Sequence, residues 1–381
     1  MKKSSALNFD KPLLLAVIGL LVLGVFVIYS GTQYRAMLNG LSSYHYVMRQ
    51  LGYIGLGCVL MGFTTAVDHR IFHKLAHLLF VGCLALLLAV FIYGVAAKGA
   101  TRWLEIGGFS LQPAEFMKIA IFALMARKLS ELGDDIADFK KGFAKPLVTL
   151  GITLLLIVLQ PNFSMALMIG MTIYILFYVA GVRKRYLFGL GAAFVPVAIA
   201  VGGAASYRMK RILAYLHPEE NPNDAHQLLN SLVSLGHGGW FGVGVGQGTQ
   251  KLGFLPESYK DFAFSIVGEE LGFVGTALVL ILFGIIVYRG VLIARGARSR
   301  FSRYFAICIT ASLGINMWIH VAVCTGIIPT TGQPLPFISY GGTNLVVSMA
   351  AIGILLNISR ARTGEIYTEP PSAIQDERSF T

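Results

Sequence analysis

Ten runs of mostly apolar residues, each about 17–25 residues long, follow one another along this chain. A run of this length can cross the hydrocarbon core of a bilayer as an α-helix, because a helix satisfies its own backbone hydrogen bonds. The charged fraction of 13% and the mean hydropathy of +0.68 exclude an ordinary soluble domain. The runs cover about residues 12–30, 46–66, 75–97, 111–129, 144–160, 163–181, 186–204, 264–288, 303–325 and 340–358. We therefore predict an all-α polytopic membrane protein of about ten transmembrane helices, with residues 1–362 forming a single domain.

Lysine and arginine are unevenly divided between the segments that join these runs. With the N-terminus inside, 21 of the 31 Lys and Arg residues fall on one side. The short segments near Arg183 and between Arg289 and Arg303 are the strongest evidence, because the positive charge of short loops determines how a membrane protein is oriented. Both termini are thus predicted to be cytoplasmic, with one large extracytoplasmic loop, about 205–263, between helices 7 and 8. The net charge of +12 is explained by this orientation rather than by nucleic acid, and the polar tail 363–381 is predicted to be disordered.

The outer segment is the longest polar interval, and it holds the clearest candidates for chemistry. Its basic entry (Arg208, Lys210 and Arg211) is followed by a glycine-rich run, Gly238–Gly246. No strand precedes these glycines, which excludes a dinucleotide-binding fold. They could offer backbone N–H groups to an anion, or they could form a close-packed turn.

Asp261 stands where the polar segment gives way to an apolar run, beside Tyr259, Phe262 and Phe264. A carboxylate at such a border is partly desolvated, which suits a general base. A helix N-cap is the commoner local explanation for an aspartate in this position.

Ionisable residues at membrane depth form a second group of candidates. Arg102 precedes the fourth run, within which Glu115 and Lys118 are three residues apart and share a helix face. They could line a polar cavity for an anionic lipid head group, or form an ion pair that joins two helices. The Pro- and Gly-rich stretch 328–342, which contains Ser339 and Tyr340, is predicted to be non-helical and to form part of the cavity wall.

Three histidines, His69, His73 and His77, are spaced four residues apart. This spacing would stack them on one helix face, but no fourth ligand is evident, so a zinc site is the minor interpretation.

Several motifs together resemble the SEDS family of cell-wall polymerases, and the resemblance extends from the first apolar run to Arg360. The matching stretches are Lys98–Trp103, Gln112–Glu115 with Lys118, Gly239–Gly244 with Lys251, Leu255–Glu257, Asp261–Phe262, Gly268–Gly272 and Pro334–Gly342.

The resemblance implies a peptidoglycan glycosyltransferase that polymerises lipid II on the outer face of the bacterial cytoplasmic membrane. Asp261 would deprotonate the acceptor hydroxyl, and polyprenyl diphosphate would leave with inversion. The division type is favoured over the elongation type by Gly268–Gly272 and Pro329–Gly332. Lipid II flippase and non-catalytic transpeptidase scaffold are the rival functions. The implied substrate-binding residues are Arg102, Glu115, Lys118, Arg208, Lys210, Arg211, Lys251, Glu257, Glu269, Glu270, Ser339 and Tyr340.

The resemblance also implies partners: a class B penicillin-binding protein transpeptidase, other divisome proteins and membrane lipids. A divalent cation, Mg²⁺ or Mn²⁺, could assist the diphosphate, although no protein metal site is predicted.

The chain departs from the family pattern at three places. Asn162 and Ser164 stand where an acid and a glycine are usual, Tyr259-Lys260 precedes the aspartate in place of His/Thr, and Thr343-Asn344 follows Gly341-Gly342 in place of two serines.

Overall fold

The structure is a computed structural model that describes residues 9–97, 100–106, 109–203, 206–249 and 258–362. Helices dominate the described residues, joined by three short strands and two short 3-10 and π turns, Gly133–Ala137 and Phe139–Ala144. The α-helices, in chain order, are α1 (Lys11–Leu38), α2 (His45–Ala66), α3 (Arg70–Tyr93), α4 (Pro113–Ser130), α5 (Lys145–Leu159), α6 (Phe163–Ala180), α7 (Lys184–Gly203), α8 (Ser206–Leu216), α9 (Pro222–His237), α10 (Ser258–Asp261), α11 (Ala263–Arg295), α12 (Arg300–Cys324) and α13 (Gly342–Arg362).

A helix occupies each of the ten apolar runs of the sequence. Eight helices in the described part of the chain are long and apolar enough to cross a membrane. The α4 helix is not among them, because its 18 residues include four charged ones. Most of α4 is buried by other helices, and protein rather than lipid surrounds the charges of Glu115 and Lys118. The predicted all-α polytopic membrane architecture is confirmed.

A close helix pairing joins α2 to α13. A side chain at Gly353 of α13 would overlap the backbone of Met61, and the Thr64 hydroxyl donates to the carbonyl of Ala350 at 2.9 Å. Small residues at such a contact let two backbones approach, which is how membrane helices gain packing energy in lipid. This pairing fixes α13, and with it the loop that leads into α13.

A small antiparallel sheet joins α3 to α4 and was not predicted from the sequence. Its strands are β1 (Val95–Ala97), β2 (Ala100–Ile106) and β3 (Phe109–Leu111), in the order β1-β2-β3. The third apolar run therefore ends as a helix at Tyr93, not at residue 97. Strand β2 carries Arg102 and so fixes the position of that candidate.

The long segment expected at 205–263 contains helices α8, α9 and α10, which the sequence analysis did not identify. Between α9 and α10 lies the glycine-rich run Gly238–Gly246, called the glycine segment below. It packs against α11 where that helix is broken at Gly272, with φ 64° and ψ −159°.

The glycine segment replaces the hydrogen bonds that α11 loses at the break. The amides of Val243 and Gly244 donate to the carbonyls of Glu269 and Glu270 at 3.0 and 3.1 Å. In return, the amide of Phe273 donates to the carbonyl of Gly239 at 2.9 Å. The structure thus supports the close-packed turn over the anion site, because these amides are engaged by α11.

Candidate active site

Asp261 ends the short helix α10, two positions before α11 begins at Ala263. Phe262, not Asp261, occupies the N-cap position of α11. The helix-cap interpretation of Asp261 is therefore wrong. Its side chain is half-buried, whereas Tyr259 and Phe262 on either side are buried. The positive end of the α11 dipole lies close by.

The loop between α12 and α13, residues 325–341, brings an arginine near Asp261. A Cβ built on Gly332 would lie 3.9 Å from Asp261 Oδ2 and 4.0 Å from Arg211 Nη1. Arg211 of α8 is held there because its Nη1 donates to the carbonyl of Thr330 at 3.1 Å. A glycine is needed at 332 for its φ of +69°, and the missing side chain also leaves space between the carboxylate and the guanidinium.

Arg102 and the turn between α5 and α6 extend this neighbourhood. Arg102 Nη2 donates to the carbonyl of Pro161. Two residues past the turn, the Ser164 hydroxyl donates to the carbonyl of Thr331 at 3.1 Å. Asp261, Arg211 and Arg102 are thus linked through one loop and one turn, which groups three of the residues chosen from the sequence.

Two tyrosines and two cations cluster around Tyr259, which lies two positions before Asp261. The rings of Tyr259, Tyr340 and Tyr46 lie 5.6–6.0 Å apart, centroid to centroid. Lys260 Nζ lies 5.5 Å from the Tyr259 ring centroid and 6.0 Å from that of Tyr340. Arg35 Cζ also lies over the Tyr259 ring, 5.7 Å from its centroid. This arrangement holds cationic groups beside aromatic faces by cation–π attraction.

Of these residues, sequence reasoning selected only Tyr340 as a site residue. Arg35 and Tyr46 belong to the ends of α1 and α2, which look like ordinary membrane-interface anchors in the sequence. In the sequence these two residues appear only as a cation and an aromatic residue on either side of a short connection between helices. That pattern is too common to identify site residues.

Glu115 and Lys118 form a buried ion pair on α4, with Lys118 Nζ donating to Glu115 Oε2 at 2.7 Å. Asn344 of α13 donates to the other carboxylate oxygen, Oε1, at 2.9 Å. The hydrogen bond from Asn344 joins α13 to α4 through the Glu115–Lys118 pair. This agrees with the interpretation of the pair as a structural contact between helices. Substrate binding by the pair stays a prediction.

Glu269 and Glu270 face the glycine segment. Glu269 Oε1 accepts from the amide of Thr249 at 2.8 Å, and Glu270 Oε1 accepts from the hydroxyl of Ser30. Both residues are buried, and they lie roughly 12–14 Å of helix rise beyond Asp261. Their engagement is with the protein itself, and a substrate contact stays a prediction.

The structure describes the remaining candidate residues to different extents. Ser339 is buried, and its hydroxyl accepts from the amide of Leu335 at 2.8 Å, which braces the α12–α13 loop. Lys210 is exposed on α8. Arg208 belongs to the same helix, but its side chain lies outside the description, as do Lys251 and Glu257 altogether.

No group of three or more metal-binding side chains occurs among the residues that the structure describes. His69, the first of the spaced histidines, instead contacts Asn357 and Ser302 through its two ring nitrogens, each at 2.7 Å. Mg²⁺ is often held by one or two carboxylates together with substrate phosphates. Asp261 could supply only one such ligand, so a divalent cation stays a prediction and no step below depends on it.

The family model described as "Cell cycle protein", FTSW_RODA_SPOVE, matches residues 11–364. This chain belongs to the FtsW/RodA/SpoVE family.

Curated members of this family are similar over nearly their whole length. "Probable peptidoglycan glycosyltransferase FtsW" of Geobacter sulfurreducens is 39% identical over 360 residues, 94% of this chain and 96% of that protein. "Stage V sporulation protein E" of Bacillus subtilis is 39% identical over 353 residues, 91% of this chain and 96% of that protein.

Solved structures of the FtsW/RodA/SpoVE family share the fold. The rod shape determining protein RodA of Thermus thermophilus superposes with a TM-score of 0.70 at 25% identity, covering 94% of this chain and 98% of that one. A chain from the study "Structural coordination of polymerization and crosslinking by a peptidoglycan synthase complex" superposes with a TM-score of 0.79 at 27% identity, covering 93% and 99%.

The positions at which this FtsW/RodA/SpoVE member departs from the expected motifs have defined contacts. Ser164 binds the α12–α13 loop, Lys260 lies beside two tyrosine rings, and Asn344 binds Glu115. Thr343 receives a hydrogen bond from the amide of Gln112 at 3.2 Å, which ties the start of α13 to that of α4. Ser164, Thr343 and Asn344 therefore join neighbouring elements of the site.

Proposed function

We propose that this chain, a peptidoglycan glycosyltransferase of the FtsW/RodA/SpoVE family, polymerises lipid II with Asp261 as its general base. The observation that carries the assignment is the position of the Asp261 carboxylate. It is half-buried at the start of α11, with Arg211 across Gly332 on one side and Lys260 adjacent in the chain. A carboxylate among cations matches a reaction in which a proton is removed and a diphosphate departs.

In the proposed reaction, Asp261 takes the proton of the acceptor sugar's 4-hydroxyl as its oxygen attacks the donor's anomeric carbon. The bond from that carbon to the diphosphate oxygen breaks, and polyprenyl diphosphate leaves from the opposite face. One displacement therefore inverts the anomeric centre. Diphosphate is a good leaving group, so cations replace a general acid.

Three cations are suited to the leaving group. Arg211 and Lys260 flank Asp261, and Arg102 is held at the neighbouring α5–α6 turn. A guanidinium binds phosphate oxygens in a bidentate manner, which would orient the diphosphate as well as neutralise it.

The charge distribution and the relatives support the proposed sidedness and role. The positive-inside distribution supports an outward-facing Asp261 in the cytoplasmic membrane. The FtsW relatives and the peptidoglycan synthase complex support septal synthesis with a class B penicillin-binding protein and other divisome proteins.

The test is polymerisation of labelled lipid II by the purified protein, with and without a class B penicillin-binding protein. Asp261→Asn should lower the rate by about 10²–10⁴-fold, the usual contribution of a general base. Asp135→Asn is the matched control, because Asp135 is exposed and contacts Lys141 far along the chain from the site. Asp261→Asn protein that is folded and polymerises at the control rate contradicts the assignment. Lipid II movement across vesicles without polymer from either protein indicates a flippase instead.

A further inference from the structure

A cavity of about 440 Å³ lies between α6, α11 and α12. Its lining residues are Val179, Val291, Ala294, Arg295, Arg303 and Ile307. Arg295 ends α11, whereas Asp261 lies two positions before that helix begins. The unbroken part of α11 after Gly272, residues 273–295, rises roughly 34 Å, which exceeds the hydrocarbon thickness of about 30 Å. The cavity therefore belongs to the membrane surface opposite the active site.

The two arginines of this cavity have no acidic partner in the part of the chain that the structure describes. Both side chains are exposed, and no carboxylate among the described residues pairs with Arg295 or Arg303. The sequence from 271 to 364 contains no Asp or Glu at all. By contrast, Arg289, one and a half turns earlier on α11, binds Asp10 at 2.6 Å. The cavity thus has an unneutralised positive charge at its rim.

The rest of the lining is aliphatic. Val179, Val291, Ala294 and Ile307 form an apolar wall beneath the arginines. The outer surface of α6 next to it is also apolar and open, since Tyr178 and Val179 are 61% and 41% exposed. Arg303 lies in the first turn of α12, at the positive end of the helix dipole, which favours an anion. A ligand that fits needs an anionic head and an apolar body.

We propose that this cavity binds the head group of an anionic phospholipid, whose acyl chains lie along α6 and α11. Basic pockets between membrane helices recognise such head groups by charge, and the aliphatic wall adds the contact that a free phosphate cannot make. The proposal goes beyond glycan polymerisation and does not depend on Asp261. It assigns a lipid site to the surface that the charge distribution identifies as cytoplasmic.

The experiment titrates purified full-length protein with short-chain phosphatidylglycerol and counts bound lipid by native mass spectrometry. Each arginine near the surface contributes about 1 kcal/mol to anionic lipid binding, so Arg295→Gln/Arg303→Gln should weaken binding by roughly 30-fold. The matched control is Arg183→Gln/Lys184→Gln, which removes two exposed cations from the α6–α7 connection. It should bind as the wild type does. Short-chain phosphatidylcholine should bind weakly to all three proteins.

Three results overturn the proposal. The first is equal phosphatidylglycerol affinity in the Arg295→Gln/Arg303→Gln protein and the control. The second is displacement of the lipid by inorganic phosphate at the same concentration as by phosphatidylglycerol, which leaves a simple anion site. The third is binding that appears only after removal of residues 363–381, which carry Glu365, Glu369, Asp376 and Glu377 and would then be the occupant.

Discussion

Gly242 of the glycine segment is in backbone contact with Glu270 of α11, so close that a Cβ at Gly242 would overlap the Glu270 carbonyl group. Gly242 also has a φ of +79°, a conformation that favours glycine. Both requirements arise from the break at Gly272, because only a close-lying backbone can supply the missing hydrogen bonds. The contact therefore fixes the segment that leads from α9 towards Asp261.

Gly242→Ala should lower the thermal stability of the purified protein. Backbone strain alone accounts for about 1–3 kcal/mol, and the overlap with Glu270 adds to it. Gly236→Ala is the control, since nothing lies near its Cβ position and it is within α9, where alanine favours the helix by about 1 kcal/mol. The change in melting temperature in detergent measures both, and a Gly242→Ala protein as stable as Gly236→Ala contradicts the contact.

The Glu115–Lys118 pair can be tested for both of its interpretations. Lys118→Met leaves a buried carboxylate without its cation and should cost about 3–5 kcal/mol, whereas Glu115→Gln/Lys118→Met, which removes the charge and keeps an acceptor for Asn344, should recover most of that loss. Thermal stability and lipid II polymerisation are measured on both proteins. A double variant that regains both stability and activity identifies a structural pair, and one that regains stability alone identifies substrate-binding residues.

Asp10 has two separable roles at the start of α1. Its carboxylate accepts from the amide of Leu13 at 3.1 Å as the helix cap, and it also binds Arg289 of α11. Asp10→Asn keeps a capping side chain but loses the ion pair, whereas Asp10→Ala loses both. We expect Asp10→Ala to be less stable than Asp10→Asn by about 1 kcal/mol, the usual value of a cap. Equal melting temperatures of the two variants show that the side chain does not cap α1.

His69 should make stability dependent on pH. Burial lowers the pKa of His69, an effect opposed by its hydrogen bond to Asn357 and by Asp68. Below its ordinary pKa of about 6.5, the unfolded chain binds a proton that the folded chain refuses. Stability should therefore fall as pH drops below that value and stay level above it.

The measurement compares melting temperatures at about pH 7.5 and about pH 5. His69→Gln should lose less stability on acidification than the wild type, because it has no proton to gain. His77→Gln, which changes an exposed histidine of α3, should behave as the wild type does. An identical acid response in the His69 and His77 variants would rule out His69 as the source.

The membrane helices were predictable because each is encoded locally. An apolar run of sufficient length must be helical in lipid, so the first run, about residues 12–30, lies within α1 at Lys11–Leu38. The protein surroundings of Glu115 and Lys118 in α4 could also be predicted, since ionisable residues at membrane depth imply a protein environment. Asp261 was identified by its border position and by the family resemblance.

What the sequence did not reveal depends on residues far apart in the chain. The glycine segment binds α11 about thirty residues later, and nothing local distinguishes a turn that repairs a helix from one that binds an anion. Similarly, Tyr46, Tyr259 and Tyr340 come from three separate elements, and only the tertiary fold brings them together.

The break in α11 also indicates how deep this helix lies in the bilayer. Trp240, whose carbonyl accepts from the amide of Val274 at 3.1 Å, is 70% exposed, and tryptophan favours the head-group level of a bilayer. From that level, residues 273–295 rise roughly 34 Å, which suits the hydrocarbon thickness of about 30 Å. Residues 263–271 lie beyond the break and separate it from Asp261 by at most roughly 13 Å of helix rise. A sugar carried on a diphosphate can meet the carboxylate beyond the break while its polyprenyl chain stays in the lipid.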